Sequence, residues 1–156
     1  MVHKPKHKVH SFRATLGDGL QGKINLEREN VNMAYRIVKF QIMPLSPGVA
    51  TQEIVAKVFR EEQPSVTGTV DFSDQDLLGA AIFAQSADSF NSYSTIIFDN
   101  TLFSRNLYVT MDDSQNAAGA NYYIEIEEVP VTASTLMQLK LGVARKLNLS
   151  ENPPEA

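Results

Sequence analysis

The stretch NYYIEIEEV, from Asn121 to Val129, settles the class of fold to expect. Tyr122, Ile124 and Ile126 fall on one side of an extended backbone, and Tyr123, Glu125 and Glu127 on the other. Successive side chains of a strand point to opposite faces, so this period of two describes a strand with one apolar and one wet face. A helix would scatter the same residues around its circumference, burying glutamates or exposing isoleucines.

The same signal recurs along the chain. LQGKINL (Leu20 to Leu26) alternates, with Leu20, Gly22, Ile24 and Leu26 on one side. AYRIVKFQIMPL (Ala34 to Leu45) is rich in β-branched and aromatic residues, and its apolar face switches between Ile37 and Val38, which predicts a β-bulge or a strand covered on both sides. EIVAKVF (Glu53 to Phe59) and VTGTVDF (Val66 to Phe72) alternate again. SDQDLLGAAIFAQS (Ser73 to Ser86) admits a helix capped by Ser73 with Asp74 and Asp76 in its first turn, but Gly79 weakens it and favours a strand over Leu77 to Phe83; SYSTIIFD (Ser92 to Asp99) and LFSRNLYVTM (Leu102 to Met111) read as further strands. AQSADSFNSYS (Ala84 to Ser94) reads as an exposed loop with two aromatics. DDSQNAAGA (Asp112 to Ala120) has the small, polar composition of a loop tip. After Pro130, TASTLMQLKLGVARKLNL (Thr132 to Leu149) fits a helical face through Leu136, Leu139, Val143 and Leu147. It also fits a strand; its Ala, Leu, Lys and Met content favours a short helix. About eight strands with turn signals between them, and no alternation of strand and helix, predict an all-β fold. The expected form is a single antiparallel β-sandwich, jelly-roll-like. The expected organisation is a basic N-terminal arm over residues 1–17, the sandwich over 18–149, and a polar, proline-containing tail over 150–156.

Of 156 residues, 43% are hydrophobic, enough for a core without covalent staples. The chain has no cysteine, so disulfides, thiolate metal sites and cysteine nucleophiles are excluded. No run approaches 18 apolar residues, so no membrane-spanning helix is expected, and the N-terminus lacks the apolar core of a signal peptide. The net charge of -4 is unevenly placed. Lys4, Lys6, Lys8 and Arg13 precede the first acid, Asp18, so a cationic segment adjoins an acidic body.

That segment, MVHKPKHKVH, also holds the chain's three histidines, His3, His7 and His10. Pro5 and the intervening lysines oppose the convergence that zinc needs. Besides a solvated tail, the reading that uses its charge is an extended arm: His3, Lys4, Lys6, His7, Lys8, His10 and Arg13 contacting nucleic-acid phosphates or an acidic neighbouring subunit. Asp71, Asp74 and Asp76, and the pair Asp112 and Asp113, supply oxygen donors of the kind calcium uses, but no EF-hand pattern frames them; turn carboxylates are the simpler reading. GxSxG is absent, and with no histidine after residue 10 a serine triad would need its base from the arm. GDGLQG (Gly17 to Gly22) lacks the ending of a phosphate loop and reads as a turn. Phe90, Tyr93, Phe98, Phe103, Tyr108, Tyr122 and Tyr123 could include a ligand-stacking set, although strand aromatics are more often core residues. No enzyme activity, cofactor or metal is expected.

TVDFSDQDLLGAAIFAQS (Thr69 to Ser86), TIIFDNTLFSRNLYVT (Thr95 to Thr110) and NYYIEIEEV, in that order, resemble short virion structural proteins of environmental, especially marine, bacteriophages, over about Gly68 to Val129. The resemblance implies a small β-sandwich serving as a capsid or capsid-associated subunit. It implies no functional residues. The expectation is a non-enzymatic viral structural protein that forms symmetric homo-oligomers, meets other capsid proteins and reaches packaged nucleic acid through its arm. It would be made in the host cytoplasm and found in the virion. The rivals are a β-sandwich module that binds carbohydrate or a receptor, and a calcium-dependent or carboxylate hydrolase.

Overall fold

A computed structural model describes residues 8–26, 32–46, 48, 51–86, 92–115, 117–139 and 141. Eight strands follow one another: β1 (Val9–Leu16), β2 (Leu20–Ile24), β3 (Met33–Pro44), β4 (Gln52–Phe59), β5 (Leu77–Gln85), β6 (Ser92–Phe98), β7 (Leu107–Asp113) and β8 (Ala120–Pro130). They form two antiparallel sheets, one ordered β1-β8-β3 and the other β2-β7-β4-β5-β6. First with last, second with seventh, and fourth with fifth are hydrogen-bonded neighbours. This is the nesting obtained by rolling up one long hairpin, the jelly-roll order. One strand departs from it: β6 extends the larger sheet beside β5 and leaves the far edge of β3 without a paired strand among the described residues.

The core lies between the sheets. From the smaller sheet come Ile37, Phe40, Ile124 and Ile126; from the larger come Ile54, Val58, Leu107, Val109 and Met111. Pairing in the larger sheet keeps like faces together, with Ala56 opposite both Ala81 and Met111. The bulge expected at Ile37 and Val38 is present, as a shift of register between Ile37 and Lys39 against β8. Ile37 and Phe40 are three positions apart and would otherwise face opposite ways. The extra residue lets both point inward.

The hairpin between β7 and β8 closes against the turn after β1. Gly119 has φ 82°, and a Cβ there would collide with the Leu16 carbonyl oxygen. Only glycine satisfies both the conformation and the approach. At the other end, Tyr35 donates from its hydroxyl to the Leu26 carbonyl, 2.8 Å, and stacks near Phe103 with ring centroids 5.9 Å apart. The Leu26 N–H donates to Asn106 Oδ1, 2.7 Å.

Three expectations change. Val9–Leu16, assigned to a free arm, is a paired strand: Phe12 opposes Ile124, and Ala14 opposes Tyr122. The apolar signal is thin because β1 is an edge strand that places only Phe12 and Leu16 against the core. Residues 66–72 form no strand; they belong to the connection from β4 to β5, which lies across the outer face of the larger sheet. The loop expected over residues 84–94 is shorter: Ala84 and Gln85 end β5, and Ser92, Tyr93 and Ser94 belong to β6, as the strand reading of SYSTIIFD has them. Residues 133–139 form the expected helix, capped by Thr132, whose Oγ1 accepts from the Thr135 N–H at 3.2 Å. Residues 1–7 of the arm and the tail at 150–156 lie outside the described residues.

Ile124 is central in β8 and fully buried. Ile124→Ala is expected to destabilise the fold by about 2–5 kcal/mol, read from urea unfolding midpoints with an unchanged slope. A loss under about 1 kcal/mol would contradict this placement of the core.

Candidate functional site

Where β1, β8 and β3 run past β6, the two sheets leave an open cleft of about 820 Å³. Ala14, Ile42 and Tyr122 line it from the core side of the smaller sheet, and Ser94 and Ile96 of β6 form the opposite wall. Arg13, Gln41, Asn121 and Tyr123 alternate with those residues along their strands and border the cleft. The cleft exists because β6 pairs with β5 and projects beyond the cover that the three-stranded sheet provides. Arg13 opposes Tyr123 across the β1–β8 ladder, and Tyr123 opposes Gln41 across β8–β3. Tyr123 donates to Glu125 Oε1, 2.8 Å, and that bond holds its phenol above the ordinary range. Burial does the same for Tyr122. The Lys39 ammonium stands 5.6 Å from the centre of the Tyr123 ring. Floor and border together offer one guanidinium, phenols, hydroxyls, amides and apolar surface. Among the described residues the lining includes no carboxylate and no imidazole.

Of the arm residues, His3, Lys4, Lys6 and His7 lie outside the described residues. Lys8 is exposed just before β1, and its carbonyl accepts from the Glu128 N–H at 2.9 Å. His10 has turned inward on β1 and meets Glu128, with Nε2 2.6 Å from Oε1. Arg13 is exposed at the border of the cleft. His10 and Arg13 thus leave β1 on opposite faces and do not act together as one patch.

Asp71, Asp74 and Asp76 are engaged in turns as expected, whereas Asp112 and Asp113, expected in a loop, end strand β7. Asp71 Oδ1 accepts from the backbone N–H and hydroxyl of Ser73, at 2.9 and 2.6 Å. These bonds hold Asp71 below the usual carboxylate range. Asp74 accepts from the Asp76 N–H, 2.9 Å, and Asp76 pairs with Arg60, 3.0 Å. Asp113 accepts from the N–H groups of Gln115 and Ala118. Nor do the aromatics form one stacking set. Phe103 and Tyr122 are in the core, Phe98 packs against it, Tyr93 is exposed on β6, and Phe90 lies outside the described residues.

A second cluster has no motif in the sequence. Lys57 of β4 faces outward beneath the 60–76 connection and is 5% exposed. Its ammonium donates to the Thr69 carbonyl, 2.7 Å, and to the Thr67 hydroxyl, 3.3 Å, and lies 5.4 Å from the Phe59 ring centre. Desolvation lowers its pKa, opposed by the charges of Asp112 and Asp74. Gly68 comes so close that a Cβ there would sit 2.6 Å from Asp112 Oδ2. Gln21 and Gln63 clasp the same segment through two bonds, at 3.2 and 2.9 Å. The cluster fastens a long connection over the sheet. Its one sequence signal is the lysine inside EIVAKVF, on a face that a two-layer sandwich would otherwise leave wet.

No family model matches the chain, and no curated protein does. Among solved structures, the crystal structure of a proposed glycoside hydrolase from Bacteroides thetaiotaomicron shares 13% identity, with a TM-score of 0.28. The match covers 71% of this chain and 41% of that one, so this chain corresponds to about two fifths of that protein.

Burial raises the pKa of Asp112, and repulsion from Asp18 adds to it. Between the ordinary and the raised value, the folded chain keeps a proton that the unfolded chain has released. Stability from this group therefore falls as pH rises through that window. Asp112→Asn removes the titration. Relative to the parent, the variant is expected to gain stability as pH rises from below 3.8, the ordinary value. A stability difference flat across the acidic range would contradict the assignment.

Proposed function

We propose that the chain is a non-enzymatic virion structural protein, a capsid or capsid-associated subunit that assembles into symmetric oligomers. The observation that carries this reading is the jelly-roll nesting that all strands but β6 follow, in two sheets ordered β1-β8-β3 and β2-β7-β4-β5-β6. That architecture recurs in viral shells, as it does in lectins and cupins. The choice among these rests on the resemblance of residues 68–129 to phage virion proteins. The engaged state of His10, Lys57 and the turn carboxylates is consistent with a building block. Lys4, Lys6 and Lys8 precede β1 in the chain, and their charge suits phosphates or an acidic neighbour.

Because β1 is part of the sandwich, the arm is tested by removing residues 1–7 alone. Light scattering and nucleic-acid retention should show weaker assembly or retention at low salt, with the difference shrinking as salt is raised. Equal behaviour of both chains at low and high salt would remove the arm from the account.

The cleft favours a second reading, a carbohydrate- or receptor-binding module, because Tyr122, Asn121, Gln41 and Arg13 surround one open space. Under that reading, a glycan array should give binding that Ser94→Trp, which fills the cleft from its exposed wall, abolishes. Binding unaffected by that change would place any such site elsewhere.

A further inference from the structure

We propose that β6 is the seam through which two copies of this chain join, edge to edge, into one continuous ten-stranded sheet. This rests on the assembly reading above and names the surface that would perform it. Each sheet edge exposes backbone donors and acceptors that can pair with another strand, and proteins commonly guard such edges with charge or proline. Among the described residues, three of the four edge strands are guarded in this way. β1 carries Arg13, β2 carries Lys23, and β3 carries Arg36, Lys39 and Pro44. β6, SYSTIIF, has no charge and no proline over seven residues. It nonetheless exposes large apolar side chains: Tyr93 is 60% exposed, Ile97 47% and Ile96 38%.

The partner is a second copy because the strand complements itself. A two-fold axis perpendicular to the sheet keeps each residue on its own face, so opposed residues must share parity. The axis at Thr95 uses all seven residues. It places Tyr93 opposite Ile97 of the second copy, Thr95 opposite Thr95, and Ile97 opposite Tyr93. Aromatic with β-branched, and threonine with threonine, are favourable cross-strand pairs. On the other face, Ser94 opposes Ile96. No like charges meet anywhere along this register.

The chain contains no cysteine, so a single introduced one reports the register without interference. Thr95→Cys puts a thiol directly opposite its own copy, with Cβ atoms about 4.5–5.5 Å apart, and should give a covalent dimer on mild oxidation. Tyr93→Cys places the thiols four residues out of register, roughly 13 Å apart along the strand, and should not. Thr95→Lys, on the exposed outer face, should preserve the circular dichroism spectrum and weaken self-association at least about tenfold. If the parent associates while Thr95→Lys associates equally and Thr95→Cys fails to cross-link, the seam is elsewhere and assembly stands. If the parent stays monomeric at every concentration, the seam and the assembly reading both fall.

Discussion

Glu127 and Glu128 are adjacent in β8, so they point to opposite faces of the smaller sheet, and both are buried. A buried carboxylate needs a partner, and each one has it on a flanking strand. Arg36 of β3 reaches Glu127 at 2.6 Å, and His10 of β1 reaches Glu128 at 2.6 Å. The central strand is thereby joined to its neighbours by side chains as well as by the two backbone ladders. Inward from those glutamates, Ile126, Ile124 and Tyr122 form the floor of the core. The rest of the sandwich is arranged over that floor: β7 leads into β8 through the Gly119 turn, and β2 and β4 pair on either side of β7.

Several ionisable groups support the architecture. His10 closes one end of the inner face, Arg60 and Asp76 tie the start of the long connection to its end, and Lys57 fastens its middle. A lysine held at 5% exposure is unfavourable until its donors are satisfied, and here backbone and hydroxyl oxygens of the covering segment satisfy them. Connection and lysine therefore require each other. The open cleft differs in kind, since its side chains converge on solvent.

Strands with an apolar face in clear alternation are legible in the sequence: β8, β4 and β2, together with the bulge in β3. In β3 the phase slip between Ile37 and Phe40 is itself a sequence feature, because two core residues at odd spacing need an extra residue between them. β1 is hidden by its position. An edge strand with one face partly exposed needs few apolar residues, and the lysines before it give the segment the look of an arm. Residues 66–72 mislead in the opposite direction. Val66, Gly68, Val70 and Phe72 alternate, yet the segment is held by Lys57 and by the close approach of Gly68 to Asp112, and neither contact has a period. The cleft cannot be read from sequence, because it follows from β6 joining β5 rather than β3, a choice of partner that strand composition does not encode.

β8, paired on both sides, is the element whose opening requires the whole fold to open. Residue-resolved native-state hydrogen exchange measures that opening. The amides of Tyr122 to Ile126 are expected to exchange only through global unfolding, with an opening free energy equal to that from denaturant melts. Exchange of these amides through a smaller local opening, while β4 and β7 remain protected, would contradict the claim.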